Sequence, residues 1–336
     1  MIPTSVLNSM LVAVVCMGGV RCGDSADVGA DTSAPASLDR GELLLAYAKV
    51  EEAAIVAAAL RAQDGGNWRV HDLTARIHLH EALRLRDEGL MAHADVELAS
   101  AVTSYRIATE LAPDVAGLHQ SAANTAHMAG DTEQSAAWFR AAMALDADDP
   151  RPPLCLAQLV FESHPEEARQ LLDRVIALDD RIAEAHASVA LLEAIAGREE
   201  AAYASMSTAL SCGSFGPAVR VVQARMHRIL GGPSRGVEVL FGLSAQQRAS
   251  EQVATELARC WEALGRPDRV ADAWSACFAA NAHRTDAWMF ALWAADAHLT
   301  AGDRLAAARC LDQAEMLSAP QGSIDALRRR ARAHGR

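Results

Sequence analysis

The chain has 336 residues, 51% of them apolar and only 4% aromatic, enough for a continuous core but not for one built around large rings. Its formal charge is −12 and Lys49 is the one lysine among the basic residues, so no basic stripe opposes a phosphate backbone and nucleic acid is not an expected partner. Seven cysteines (Cys16, Cys22, Cys155, Cys212, Cys260, Cys277 and Cys310) form no CxxC pair, which argues against zinc; no metal or cofactor is expected.

In chain order, the apolar run from Met10 to Met17 is too short to span a bilayer and long enough for the core of an export signal, and Gly18 and Gly19 end it. Residues 23–37 are small, polar and acidic, the composition of a flexible linker. An apolar run, Cys22 and a tether together resemble a bacterial lipoprotein leader over residues 1–22. That resemblance implies a lipid on Cys22 and a place in the cell envelope. Plain secretion and an unprocessed cytoplasmic N-terminus are the two other readings.

Residues 38–81 come next. Gly41 to Ala62 contains no breaker and predicts one long amphipathic helix, and Asp64, Gly65, Gly66 and Asn67 predict a turn before a second helix from Trp68 to about Arg86. This pair is either a degenerate first hairpin or an N-terminal helix that docks onto the groove or onto a second copy.

From residue 82 to 320 the chain repeats itself. A small-x3-large-x2-small pattern recurs as Ala101/Tyr105/Ala108, Ser135/Phe139/Ala142, Ala168/Leu172/Val175, Ala202/Met206/Ala209, Gly236/Leu240/Leu243, Val270/Trp274/Cys277 and Ala307/Leu311/Ala314. Successive first members are separated by 34, 33, 34, 34, 34 and 37 residues. A small residue precedes each by twelve positions, or eleven in the third unit: Gly89, Ala123, Ala157, Ala190, Ala224, Ala258 and Ala295. A glycine falls five positions before the pattern at Gly130, Gly197, Gly231, Gly265 and Gly302.

Three markers in one register resemble the tetratricopeptide repeat, a unit of helix, glycine turn and second helix. The likeness is fullest over residues 130–146 and 183–201, whereas in the third unit Pro165 replaces the glycine turn and is placed to open a helix. The resemblance implies an all-α fold: a right-handed alpha-alpha superhelix of about seven helical hairpins, preceded by the N-terminal helical pair and closed by a C-terminal cap helix within 321–336. The cysteines inside the array fall at helix-facing positions and are expected to pack as small apolar side chains.

In that family the first helix of each unit lines the concave side. Carried onto this chain, the candidate groove residues are Gln120, Asn124, His127, Gln158, Arg225, Arg228 and Arg259, with Arg151, Phe161, Glu184, Leu191, Glu262, Met289 and Asp296 flanking the same landmarks. Arg225 and Arg259 are 34 residues apart and so equivalent in adjacent units. Arginines grouped on an acidic protein suit a partner's carboxylate, through forked hydrogen bonds, and Asn124 and Gln158 suit an extended backbone. A solvated helix face carrying Arg–Glu pairs is the competing reading.

Catalytic signatures are missing. His78 and His80 point to different sides of a helix and do not converge on a metal. No nucleophile elbow, phosphate loop or dinucleotide fingerprint occurs. Most tryptophans fall at repeat-core positions and are expected to pack, with Trp288 and Trp293 near Phe290 the two to examine for exposure. The expectation is a non-enzymatic scaffold or adaptor that binds a protein or peptide segment, envelope-anchored if the leader is used. A cytoplasmic regulatory subunit or sensor is the alternative, and a helical-repeat enzyme the third.

Overall fold

A computed structural model describes residues 36–213 and 216–333. The leader, Cys22 and almost all of the linker lie outside the described residues. Among the described residues the secondary structure is entirely helical. The chain divides into two compact units, Met1–Arg174 and Val175–Arg336.

The first unit holds α1 (Leu38–Ala46), α2 (Val50–Gln63), α3 (Trp68–Asp87), α4 (Met91–Leu111), α5 (Ala116–Met128), α6 (Thr132–Leu145), α7 (Arg151–Val160) and most of α8 (Pro165–Leu178). The second holds α9 (Ala183–Ile195), α10 (Glu199–Ser211), α11 (Pro217–Ile229), α12 (Pro233–Phe241), a single turn α13 (Ala245–Arg248), α14 (Glu251–Ala263), α15 (Pro267–Asn281), α16 (Trp288–Ala301), α17 (Arg304–Met316) and α18 (Gln321–Ala333). Consecutive helices from α3 to α17, leaving out α13, make seven hairpins.

The repeat pattern is the core. All of its members are buried, and Phe139, Leu172, Leu240 and Ala202 have no exposed surface. Burying such a large side chain contributes roughly 1.5–3 kcal/mol. The small partners allow the close approach this needs. Ser135 on α6 donates its hydroxyl to the Ala123 carbonyl on α5 at 2.9 Å. At the equivalent place a Cβ on Gly236 would lie 2.9 Å from the Ala224 carbonyl and 2.9 Å from Cys260 Sγ, so α12 meets α11 and α14 only because Gly236 has no side chain.

The turn glycines end the first helices. Gly130 has φ +82°, its amide donates to the His127 carbonyl, and the next amide, of Asp131, donates to Ala126. This is the left-handed cap that glycine adopts without steric cost. Gly197, Gly231, Gly265 and Gly302 share the positive φ, and Pro165 opens α8 as expected.

Two expectations are corrected. Gly41 to Ala62 is two helices: Ala48 takes φ +56° in a cap of the same kind, with Lys49 N donating to Leu44 O and Ala48 N to Leu45 O. The break folds α1 back on α2, so that Leu44 and Leu45 meet Val56 and Ala57 and both helices share Leu73 and Ile77 of α3. Gly89 is also a turn glycine, with φ +75°, joining α3 to α4. The contact triplet of this hairpin is Ala94/Leu98/Ala101, all fully buried, and its small partner twelve residues earlier is the fully buried Ala82. Helix α4 then carries the pattern a second time through Ala101, Tyr105 and Ala108, because it is 21 residues long where α6 has 14.

The C-terminal segment closes the second unit. Ile324 of α18 is fully buried among Ala291, Leu292, Leu311 and Ala314, and Arg330 pairs with Asp296 of α16.

Candidate partner-binding surfaces

In the second unit Arg225 and Arg228 meet on one carboxylate, and Arg259 stands one turn further along the helix that carries it. Glu256, on α14 and only 1% exposed, accepts from Arg228 Nε at 2.7 Å and from Arg225 Nε at 3.4 Å, both on α11. Burial disfavours the charged form of Arg259; Glu256 opposes that effect, and the nearby positive charges of Arg225 and Arg228 add to it. Each of the two bonded arginines uses its single Nε–H, so no η nitrogen of the three arginines is engaged by any described residue. The array makes this register: Arg225 and Arg259 each follow a small landmark, Ala224 and Ala258, and Arg228 lies one turn beyond Arg225.

Gln120, Asn124, His127 and Gln158 belong to the first unit. His127 and Gln158 are buried, while Gln120 and Asn124 are half-buried. The side-chain carbonyl oxygens of Asn124 and Gln158, 34 residues apart, are both buried without a hydrogen-bond donor. An amide oxygen so placed has unused capacity to accept an N–H.

The flanking positions are largely satisfied inside the chain. Arg151 forks onto Asp149 at 2.9 and 2.6 Å, Asp296 is held by Arg330, and Leu191 is buried. His78 Nδ1 meets Glu97 Oε2 at 2.7 Å instead of joining His80, and no group of three or more potential metal ligands exists among the described residues. No helix among them is long and apolar enough to cross a membrane. Burial pushes the Cys260 and Cys277 thiols up to about 12, as expected of unreactive packing residues. Trp293 is half-buried and its ring lies 4.7 Å from Trp274 and 5.7 Å from Phe290, while Trp288 packs partly buried against the α16–α18 core.

Two features escaped sequence reasoning. Glu256 is one; its position relative to the small landmark holds His80, Ser121, Cys155, Ser188, Val222 and Trp293 in the other units, with Ala82 the landmark of the first, and an acid in that column was the available signal. The second is a recurrent histidine contact. His71, His119 and His186 each bring Nε2 to the carbonyl six residues earlier, on Gly65, Pro113 and Asp180, at 2.9, 2.9 and 2.8 Å. These imidazoles tie a helix to the loop before it.

The hairpins, their small-residue contacts and their glycine caps define an all-α helical-repeat protein. No protein-family model matches the chain, and no curated protein matches it. Solved structures do. Yeast Tom70 aligns over 97% of this chain and 69% of its own, with a TM-score of 0.61 at 15% identity. PilF of Pseudomonas aeruginosa aligns over 66% of this chain and 95% of its own, with a TM-score of 0.50 at 13% identity. A monomeric mutant of IFIT1 with Gppp-AAAA aligns over 92% and 73%, again at 0.50, with 14% identity. At such identities the likeness is one of fold, an all-α helical-repeat superhelix of the tetratricopeptide-like kind.

Proposed function

We propose that this chain is a protein-interaction scaffold, and that its second unit holds an anionic group of a partner segment through Arg225, Arg228 and Arg259. One observation carries the reading: Arg225 and Arg228 bond a single buried carboxylate through Nε alone, Arg259 stands one helical turn beyond it, and the η N–H donors are unused among the described residues. Forked donors of this kind suit a carboxylate or a related oxyanion.

The test is capture of partners from an envelope extract by the 38–336 fragment and by its Arg259→Ala variant. Arg259 is the position to change. Arg225 bonds Glu256 and its loss would destabilise the fold, whereas Arg259 holds no hydrogen-bonded partner among the described residues, and alanine brings no second carboxylate beside Glu256. Loss of capture with an unchanged melting temperature supports the reading, and undiminished capture rejects it.

The leader supports anchoring through a lipid on Cys22. Membrane fractionation of the intact chain beside Cys22→Ala tests this, since only a lipid-anchored protein moves to the soluble fraction on substitution. Equal distribution of the two favours the cytoplasmic regulatory subunit.

A further inference from the structure

The count of charges and oxygens around Glu256 points to a more specific ligand. Two guanidinium groups bond one buried carboxylate through the Nε edges of Arg225 and Arg228, and a third, Arg259, stands one turn along α14 from it. Glu262 also acts on Arg259 but is exposed, where water and salt weaken its effect. The cluster therefore keeps an excess of positive charge in a chain whose total is −12. The side chains that carry it are held in place, since Arg225 and Arg228 are only 13% and 23% exposed. The three guanidinium groups, two from α11 and one from α14 a turn beyond Glu256, hold more η N–H donors than the two oxygens of one carboxylate can accept. A phosphate monoester offers three terminal oxygens and a charge of about −1.5 to −2.

We propose that Arg225, Arg228 and Arg259 bind a phosphate monoester carried by a partner protein, with Glu256 as the residue that positions two of the three guanidinium groups. The proposal rests on the scaffold reading above and narrows the chemistry of the same site. Glu256 fixes Arg225 and Arg228 by one N–H each and leaves their paired η groups for the incoming oxygens.

Phenyl phosphate and benzoate, titrated calorimetrically into the intact protein, separate the two chemistries. Phenyl phosphate is expected to bind at least ten-fold tighter than benzoate and to be displaced by inorganic phosphate. Arg259→Ala is expected to remove that preference. If this variant folds poorly, Arg259→Lys keeps the charge but loses the fork, and at least a three-fold weakening is expected. Benzoate binding as well as phenyl phosphate, or a preference untouched by either variant, overturns the proposal.

Capture from extract then locates the phosphate. Capture that needs Arg259 and is lost after phosphatase treatment, but survives nuclease, supports a protein-borne monoester. Capture that needs Arg259 and survives phosphatase overturns this inference and leaves the scaffold reading standing, and capture lost to nuclease overturns both. Capture that never needed Arg259 removes the scaffold site itself.

Discussion

Ser135 on α6 reaches across its hairpin to the carbonyl of Ala123 on α5, and Gly236 sits over Ala224 in the same relation within the second unit. One contact thus recurs with two different small residues, and its tolerance differs between them. Gly236→Ala would drive a Cβ to 2.9 Å from a backbone oxygen that cannot step aside. Overpacking of this kind costs roughly 1–3 kcal/mol, more than the ~1 kcal/mol that alanine gains over glycine in a helix. Urea unfolding should show a lowered midpoint; a raised one would refute the close approach.

At Ala48 the sign reverses. A left-handed alanine costs roughly 1–2 kcal/mol, partly offset by the greater chain entropy that glycine loses on folding. Ala48 is exposed and its cap bonds are backbone only, so Ala48→Gly should stabilise the α1–α2 pair by about 0.5–1 kcal/mol. Amide exchange in α1 should slow accordingly, and faster exchange would count against the cap.

Glu256 is buried, and Glu256→Ala would leave Arg225 and Arg228 desolvated without their counter-charge. Breaking one side of such a cluster costs about 3–5 kcal/mol. Combining it with Arg228→Ala should cost less than the two changes summed. Strict additivity in the double-mutant cycle would mean the pair is not coupled.

His227 gives a pH dependence. Burial holds its imidazole below the usual value and Arg235 adds to the effect, with Glu238 opposing. A group whose folded pKa is depressed contributes stability above its unfolded pKa, about 6.5 for histidine, and that contribution is lost as pH falls through the folded value. His227→Gln should therefore narrow its stability gap with the parent protein as pH drops from 7.5 towards 5. A gap that widens on acidification would contradict the sign.

Much of this fold could be read from spacing alone, because small-residue contacts and left-handed glycines leave marks at fixed intervals. Phe139, Met206 and Trp274 are buried where the pattern placed them. The first hairpin misled for a physical reason. Its second helix is longer by seven residues, about two full turns at 3.6 residues per turn, so sliding the pattern from Ala94 to Ala101 keeps it on the same face. The turn at Ala48 was hidden because an alanine stands where the rule expects glycine. At the candidate site the equivalence of Arg225 and Arg259 was legible, being a matter of period. The meeting of Arg225 and Arg228 on Glu256 was not, since it depends on which way long side chains reach between neighbouring helices.

The length of the α3/α4 hairpin and the presence of α1 and α2 belong together. Leu73 and Ile77, on which those two N-terminal helices rest, lie in the first half of α3, the stretch that pairs with the far end of α4. A relative trimmed to standard hairpin length would strip its leading helices of their seat. Loss of the one should therefore travel with loss of the other, whether by natural deletion or by engineering.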